Sequence, residues 1–156
     1  MPARHSAGLL LHRQRSGARE VLLVHQGGPF WAKKDLGAWS IPKGEFNPGE
    51  GDSLLVARRE FEEETGQPID GDFIPLVPIR QRGGKVVQAW AVEGDLDVAR
   101  LKSNSFTMEW PPRSGKFRSF PEVDRAEWFA IAEAKERILQ SQRGLLEQLE
   151  AAIEKG

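Results

Sequence analysis

The stretch from Asp52 to Thr65 constrains this chain more than any other. Asp52 or Ser53 can cap the start of a helix, and Gly66 followed by Pro68 stops it. Each helical residue turns by about 100°, so with Glu60 at zero, Glu63 falls at roughly −60° and Glu64 at roughly +40°. Three carboxylates therefore share one face, and Glu62 points away from it. Beside them Leu54, Ala57, Phe61 and Thr65 form an apolar stripe that can dock the helix on a sheet. Like charges at these spacings each cost a few tenths of a kcal/mol, about 0.2–0.5. An acidic edge next to a buried stripe therefore calls for a counter-charge. Carboxylate oxygens without histidine or cysteine suit a hard cation such as Mg²⁺ or Mn²⁺. The plainer reading is a solvated acidic face balanced by Arg58 and Arg59. Against it stands the turn just ahead, where Gly44, Pro48 and Gly49 leave backbone carbonyls able to face the same cation.

The flanking sequence supplies the sheet. Gly8-Leu9-Leu10-Leu11 within Arg4–Arg13 and Val21-Leu22-Leu23-Val24 within Glu20–Gln26 read as two strands around a Ser16-Gly17 turn. Gly27 to Gly37 reads as a loop with Phe30 and Trp31, and Trp39 to Pro42 as a short strand. After the helix, Phe73–Arg82 and Lys85–Glu93 read as strands around Gly83-Gly84. Asp95 to Phe106 reads as a helical turn and a loop. Phe106–Trp110 and Ala126–Phe129 are further strand candidates, separated by Pro111-Pro112 and a basic loop. Ile131–Leu139 and Gln142–Ile153 read as helices, with Leu145, Leu149 and Ile153 on one stripe. Strands, helix, strands, helix make an α+β sandwich with a mixed sheet, and no repeat or linker divides residues 1–156.

Composition narrows the chemistry. Lys and Arg number 22 and Asp and Glu 23, so no global field draws the chain to nucleic acid or an anionic membrane. Any polyanion must be held by a local cluster, and no stable nucleic-acid partner is expected. The absence of cysteine excludes a disulfide framework, a zinc–thiolate site and a cysteine nucleophile. No apolar run approaches the roughly 20 residues of a spanning helix, and no signal-peptide pattern opens the sequence, so the expectation is a cytoplasmic protein without a membrane partner. Oligomeric state leaves no mark.

Gly44, five residues and Glu50, followed by Arg59-Glu60-Phe61-x-Glu63-Glu64-x-Gly66, resemble the box of the Nudix hydrolases, G-x5-E-x7-R-E-U-x-E-E-x-G-U. Two departures stand out. Eight residues separate Glu50 from Arg59, placing Gly51 as an insertion at the loop–helix junction, and Gln67 replaces the usual aliphatic residue. The insertion bears on Glu50 and leaves the glutamate triplet intact. The resemblance implies a Nudix-type α/β/α sandwich and hydrolysis of a pyrophosphate bond in a nucleoside diphosphate linked to another moiety. It implies that Glu60, Glu63 and Glu64 hold divalent cations, with the Lys43 or Gly44 carbonyl as a further ligand. It also implies that Arg59 steadies a box glutamate. Glu122, six residues before Trp128, resembles the late-loop acidic residue that many members carry and is the candidate general base or extra ligand; Asp124 and Glu127 are weaker candidates.

Phosphate groups need cations or backbone donors. Lys43, Lys34, Arg82 and Lys85 are the candidates, with Lys43 beside the metal loop. Trp31, Trp39 and Trp90 have faces on which a base can stack, although core packing suits at least two of them. Trp39 through Glu50 is similar to the version of the box found in dinucleoside polyphosphate and diphosphoinositol polyphosphate hydrolases. The whole chain resembles a bacterial group of nucleoside triphosphate pyrophosphohydrolases. The tyrosine that often marks the dinucleoside polyphosphate hydrolases is absent, since the chain has none. A dinucleoside polyphosphate or a nucleoside triphosphate is the expected substrate; a nucleotide-sanitising triphosphatase is the alternative. A nucleotide-binding domain without turnover is the alternative of another class, and the intact triplet argues against it.

Overall fold

The computed structural model describes residues 4–49 and 51–155, so Glu50 lies outside the described residues. Strands β1 (His5–Arg15) and β2 (Ala18–Gln26) pair antiparallel around Ser16 and Gly17. Both turn residues have positive φ, 52° and 79°, the turn whose twist matches that of the flanking strands. Next come β3 (Trp39–Ser40), β4 (Lys43–Phe46), α1 (Ser53–Thr65), β5 (Ile74–Pro75), β6 (Ile79–Arg80) and β7 (Val86–Glu93). Then β8 (Ser105–Glu109) and β9 (Phe117–Pro121) precede β10 (Val123–Ala130), α2 (Ile131–Arg137) and α3 (Arg143–Lys155). The main sheet runs β10-β2-β1-β7-β5, with β3 on β2, β4 on β1 and β6 on β7. Only the β1–β7 pairing is parallel, which makes the sheet mixed.

Both faces of that sheet are covered, which explains why its central strands read as unbroken apolar runs. Side chains alternate across a strand. Leu9, Leu11, Leu22 and Val24 accordingly pack with Val56, Ala57 and Phe61 of α1 on one side. Leu10, Val21 and Leu23 pack with Ala134 of α2 and Leu145, Leu146 and Leu149 of α3 on the other. The result is the expected α/β/α sandwich. α1 begins and ends on the predicted signals: Asp52 accepts from the Leu54 amide at 2.9 Å, and Gly66 closes the helix at φ 78°.

Three local readings need correction. The strand expected over Phe73–Arg82 is broken into β5 and β6, because Pro75 and Pro78 have no N–H for a ladder and Val77 is 70% exposed. The basic loop after Pro112 turns back as β9, pairing with β8 in a separate two-stranded sheet. Gly44, read as part of an irregular turn, lies inside β4 opposite Ala7 of β1.

Candidate active site

The acidic wall is set by α1 lying against β4. A Cβ at Gly44 would overlap the Glu60 carboxyl, so the glycine lets that carboxylate lie flat on the strand. Glu64, one turn further along, accepts a 3.3 Å hydrogen bond from the Lys43 amide. Burial pushes the Glu64 carboxyl up to about 8, and the charges of Glu122 and Glu60 push the same way, against the nearby Lys43 amide and ammonium. Glu60 is raised as well, first by burial and then by Glu63, with Arg59 opposing. Burial lowers Lys43, and the Glu64 charge only partly restores it. Arg59 pairs loosely with Glu60 at 3.6 Å and Glu63 at 3.9 Å while 59% exposed. Such surface pairs contribute about 1 kcal/mol at most. Glu62 is exposed, as its angle on the helix requires.

Glu122 reaches this wall from the far end of the sequence because its backbone is clamped twice. Its amide donates to Asn104 at 2.8 Å, and its carbonyl accepts from Gly27 at 2.9 Å. A side chain at Gly27 would collide with the Pro121 carbonyl, so only glycine permits that approach. The Asn104 and Lys102 amides in turn donate to Glu63 and Thr65, capping carbonyls at the open end of α1. A continuous hydrogen-bonded path thus fixes Glu122 against the helix that carries Glu60 and Glu64.

Glu60, Glu64, Glu122 and Lys43 line one end of a cleft of about 620 Å³. Phe30 and Trp31 from the loop after β2 and Phe106 and Met108 from β8 add an apolar wall, while Gln26 and Glu45 also line it. Phe30 meets Trp110 edge to face at 5.5 Å, joining that loop to the β8–β9 hairpin. A hydrophilic anion-handling end and an aromatic wall therefore share one opening.

The NUDIX domain profile matches residues 2–149. The chain belongs to the Nudix family. The RNA pyrophosphohydrolase of Erythrobacter litoralis (strain HTCC2594) is 40% identical over 75 residues, 44% of this chain and 43% of that protein. The matched segment thus spans less than half of that relative's length. Among solved structures, an Ap4A hydrolase of C. elegans in a binary complex superposes with a TM-score of 0.64 at 21% identity, over 99% of this chain and 100% of that one. The NUDIX domain of Shewanella oneidensis NrtR, complexed with ADP ribose, gives 0.67 at 16% identity, over 98% and 90%. At these identities the structural likeness speaks to the fold.

Within this Nudix cleft the predicted residues fare unequally. Glu60, Glu64, Glu122, Lys43 and Gly44 converge on it, whereas Glu63, 40% exposed and paired with Arg59, does not line it. Trp39 is corrected: it is 1% exposed in the core, its indole N–H donating to Asp35, so no base can reach its face. Arg82 is corrected too, opening onto a separate depression with Arg80 and Ser141. Lys85 is engaged with Glu45 at 3.5 Å, and Lys34 lies 5.0 Å over the Trp31 ring. Asp124 turns from the cleft to His25, 2.8 Å from Nδ1, while His25 Nε2 meets the Lys34 carbonyl at 2.7 Å. That buried imidazole ties the aromatic loop to β10. Phe106, Met108 and Phe30 escaped the sequence reading; alternation of Phe106, Met108 and Trp110 in a strand facing a second strand is the signal that points to them.

The donor set fits a divalent cation. Among the described residues no three such side chains close into a ready-made cage. Mg²⁺ needs none, since it keeps several waters and takes one or two carboxylates together with substrate phosphates. Glu64 and Glu60, both raised by burial and by the charge of Glu122, are a pair whose charge a cation would settle.

Proposed function

We propose that this chain hydrolyses a pyrophosphate bond in a nucleoside bearing a polyphosphate tail, with Mg²⁺ or Mn²⁺ at the carboxylate end. One observation carries the reading: a single cleft is lined both by the half-buried carboxylates of Glu60, Glu64 and Glu122 and by the apolar side chains of Phe30, Trp31, Phe106 and Met108. The tail belongs at the carboxylates and the base against Phe30, Trp31, Phe106 and Met108, where stacking is worth about 1–3 kcal/mol per base. A triphosphate, a dinucleoside polyphosphate and a 5′-polyphosphorylated RNA end, the last suggested by the curated relative's name, all share this chemistry.

Glu60 and Glu64 would hold the cation, with Glu63 and the Gly44 carbonyl as further donors. When bound, the cation neutralises phosphate charge and acidifies the attacking water. Glu122, whose backbone is clamped to Asn104 and Gly27, would take that water's proton at its carboxylate. Lys43 faces the same end and meets phosphate oxygens there. Arg59 balances the charge of Glu60 and Glu63 from outside.

The test is release of products, resolved chromatographically as mononucleotides, sugar phosphate, phosphate and pyrophosphate, from nucleoside triphosphates, dinucleoside polyphosphates, ADP-ribose and 5′-triphosphorylated RNA, each with Mg²⁺, with Mn²⁺ and after chelation. Release that needs the metal is expected. Full activity after exhaustive chelation would sink the metal assignment. Tight nucleotide binding with no release from any substrate would favour the binding-domain alternative.

A further inference from the structure

The β8–β9 hairpin carries more than the reading of the cleft uses. Its register sets Phe106 opposite Phe120 and Met108 opposite Arg118. Residues directly opposite in an antiparallel pair lie on the same face. Phe106 and Met108 line the cleft, so Phe120 and Arg118 belong to the cleft-side face as well. One rung further the Trp110 amide donates to the Lys116 carbonyl at 2.9 Å, and the Trp110 ring meets Phe30, which also lines the cleft. The cleft side of the hairpin therefore bears an apolar row, Phe106, Met108 and Trp110, alongside a row holding the cations Arg118 and Lys116.

Those cations are unlike most others near the sheet. Arg13, Arg19, Arg137 and Lys85 are all engaged by carboxylates. Arg118 and Lys116 have no carboxylate partner among the described residues, and the Arg118 guanidinium rests 5.6 Å over the Phe120 ring. The only acidic side chain of the hairpin strands, Glu109, is turned to the loop, accepting from the Arg113 amide at 2.9 Å and the Gly115 amide at 3.2 Å. Glu122 lies four positions after Arg118, about 13 Å at the rise of an extended strand. That span leaves room for a nucleoside between the carboxylate end and the first hairpin cation.

We propose that this face of the hairpin binds a single-stranded nucleotide chain continuing from the reacting 5′ end, so that the substrate is a 5′-polyphosphorylated oligonucleotide. Aromatic side chains take successive bases because every base has a π-face, and a parallel cationic row tracks the phosphates between them. The proposal rests on the cleft reading above and names the substrate class within it. It is also consistent with a near-neutral chain: the attraction is local to the hairpin, not a field of the whole molecule.

The test compares kcat/KM for a nucleoside triphosphate with that for a 5′-triphosphorylated tetranucleotide of the same first nucleotide. The wild-type full chain is set against the double variant Arg118→Gln/Lys116→Gln. Both side chains are solvent-facing, and an unchanged melting temperature verifies that the hairpin persists. The ratio of tetranucleotide to mononucleotide kcat/KM should fall at least about tenfold in the variant, the loss of one charge-assisted contact. The salt slope for the tetranucleotide should flatten by about 1.4, since each neutralised phosphate on a single strand contributes about 0.7. An unchanged ratio, or a loss confined to a dinucleoside tetraphosphate, overturns the proposal. If no substrate is cleaved, the hydrolase reading fails instead. Quenching of tryptophan fluorescence by a 5′-hydroxyl tetranucleotide, present in wild type and lost in the variant, then still upholds this proposal, and its absence overturns it.

Discussion

On one wall of the cleft, α1 and β4 are locked into the main sheet: Phe61 and Ala57 are fully buried, and Gly44 is held opposite Ala7. On the other, Phe106 and Met108 stand on a two-stranded sheet of their own, with Phe117 on its outer face 69% exposed. The first wall must present charge at fixed positions while half withdrawn from water, which requires rigid support on every side. The second must receive the organic part of a substrate, and half-buried aromatics on a hairpin suffice. On the proposed reading, chemistry belongs to the wall locked into the main sheet and selectivity to the wall on the separate hairpin.

Breaking the rigid wall should cost the most. Glu122→Gln keeps the backbone clamp to Asn104 and Gly27 but removes the proton acceptor. kcat should fall by about 10²- to 10⁴-fold with little change in KM, and the acidic limb of the pH–rate profile should vanish. A raised Mg²⁺ requirement, partly rescued at high metal, would instead make Glu122 a ligand. Wild-type kinetics across both pH and Mg²⁺ would remove it from the site. Glu62→Gln, on the exposed side of the same helix, is the control and should be nearly silent.

The apolar wall should respond more gently and in a different parameter. Phe106→Ala removes one stacking surface, so KM should rise by about 5- to 150-fold, the span of 1–3 kcal/mol, with kcat less affected. Phe120→Ala, the cross-strand partner behind it, should show a smaller effect in the same direction. Equal losses in kcat and KM for both variants would mean that the hairpin supports the carboxylates rather than the base, and the contrast between the walls would collapse.

How much of each wall was legible follows from how each is encoded. α1 was readable in full because capping residues, a charged edge and an apolar stripe all lie within one continuous helix. Gly44 was readable as a motif, but its physical role was not: the contact it permits is with Glu60, which folds back from a separate element. β8 was read as the strand Phe106–Trp110, but its partner β9 escaped because it mixes Arg118 and Ser119 with two phenylalanines, a composition that a two-sided, mostly exposed ribbon tolerates and a core strand does not. Trp39 misled for the opposite reason. An aromatic ring beside a motif looks the same in sequence whether it faces a ligand or, as here, Phe129 at 5.1 Å.

The smallest effect expected is on stability, and it tests whether the acidic wall is built for a cation. Glu64 in the folded chain is raised to about 8 from its ordinary 4.5. Between those values the folded state binds more protons than the unfolded one, so its stability falls as pH rises through the window. Below about 4.5 both states are protonated and the cost is absent; above about 8 it is fully present. Glu64→Gln keeps an oxygen for the Lys43 amide and removes the charge. Without metal the variant should match wild type at acidic pH and melt higher at pH 9. A gain of 1 kcal/mol corresponds to about 2–4 °C in a chain of this size. Added Mg²⁺ should reverse the order, because a ligand that binds only the folded state stabilises wild type by mass action and finds a weaker site in the variant. Melting curves at pH 5 and pH 9, with Mg²⁺ and with chelator, give both comparisons. A variant less stable than wild type at pH 9 in chelator would mean that Glu64 is satisfied without a cation, and the acidic wall would then be structural.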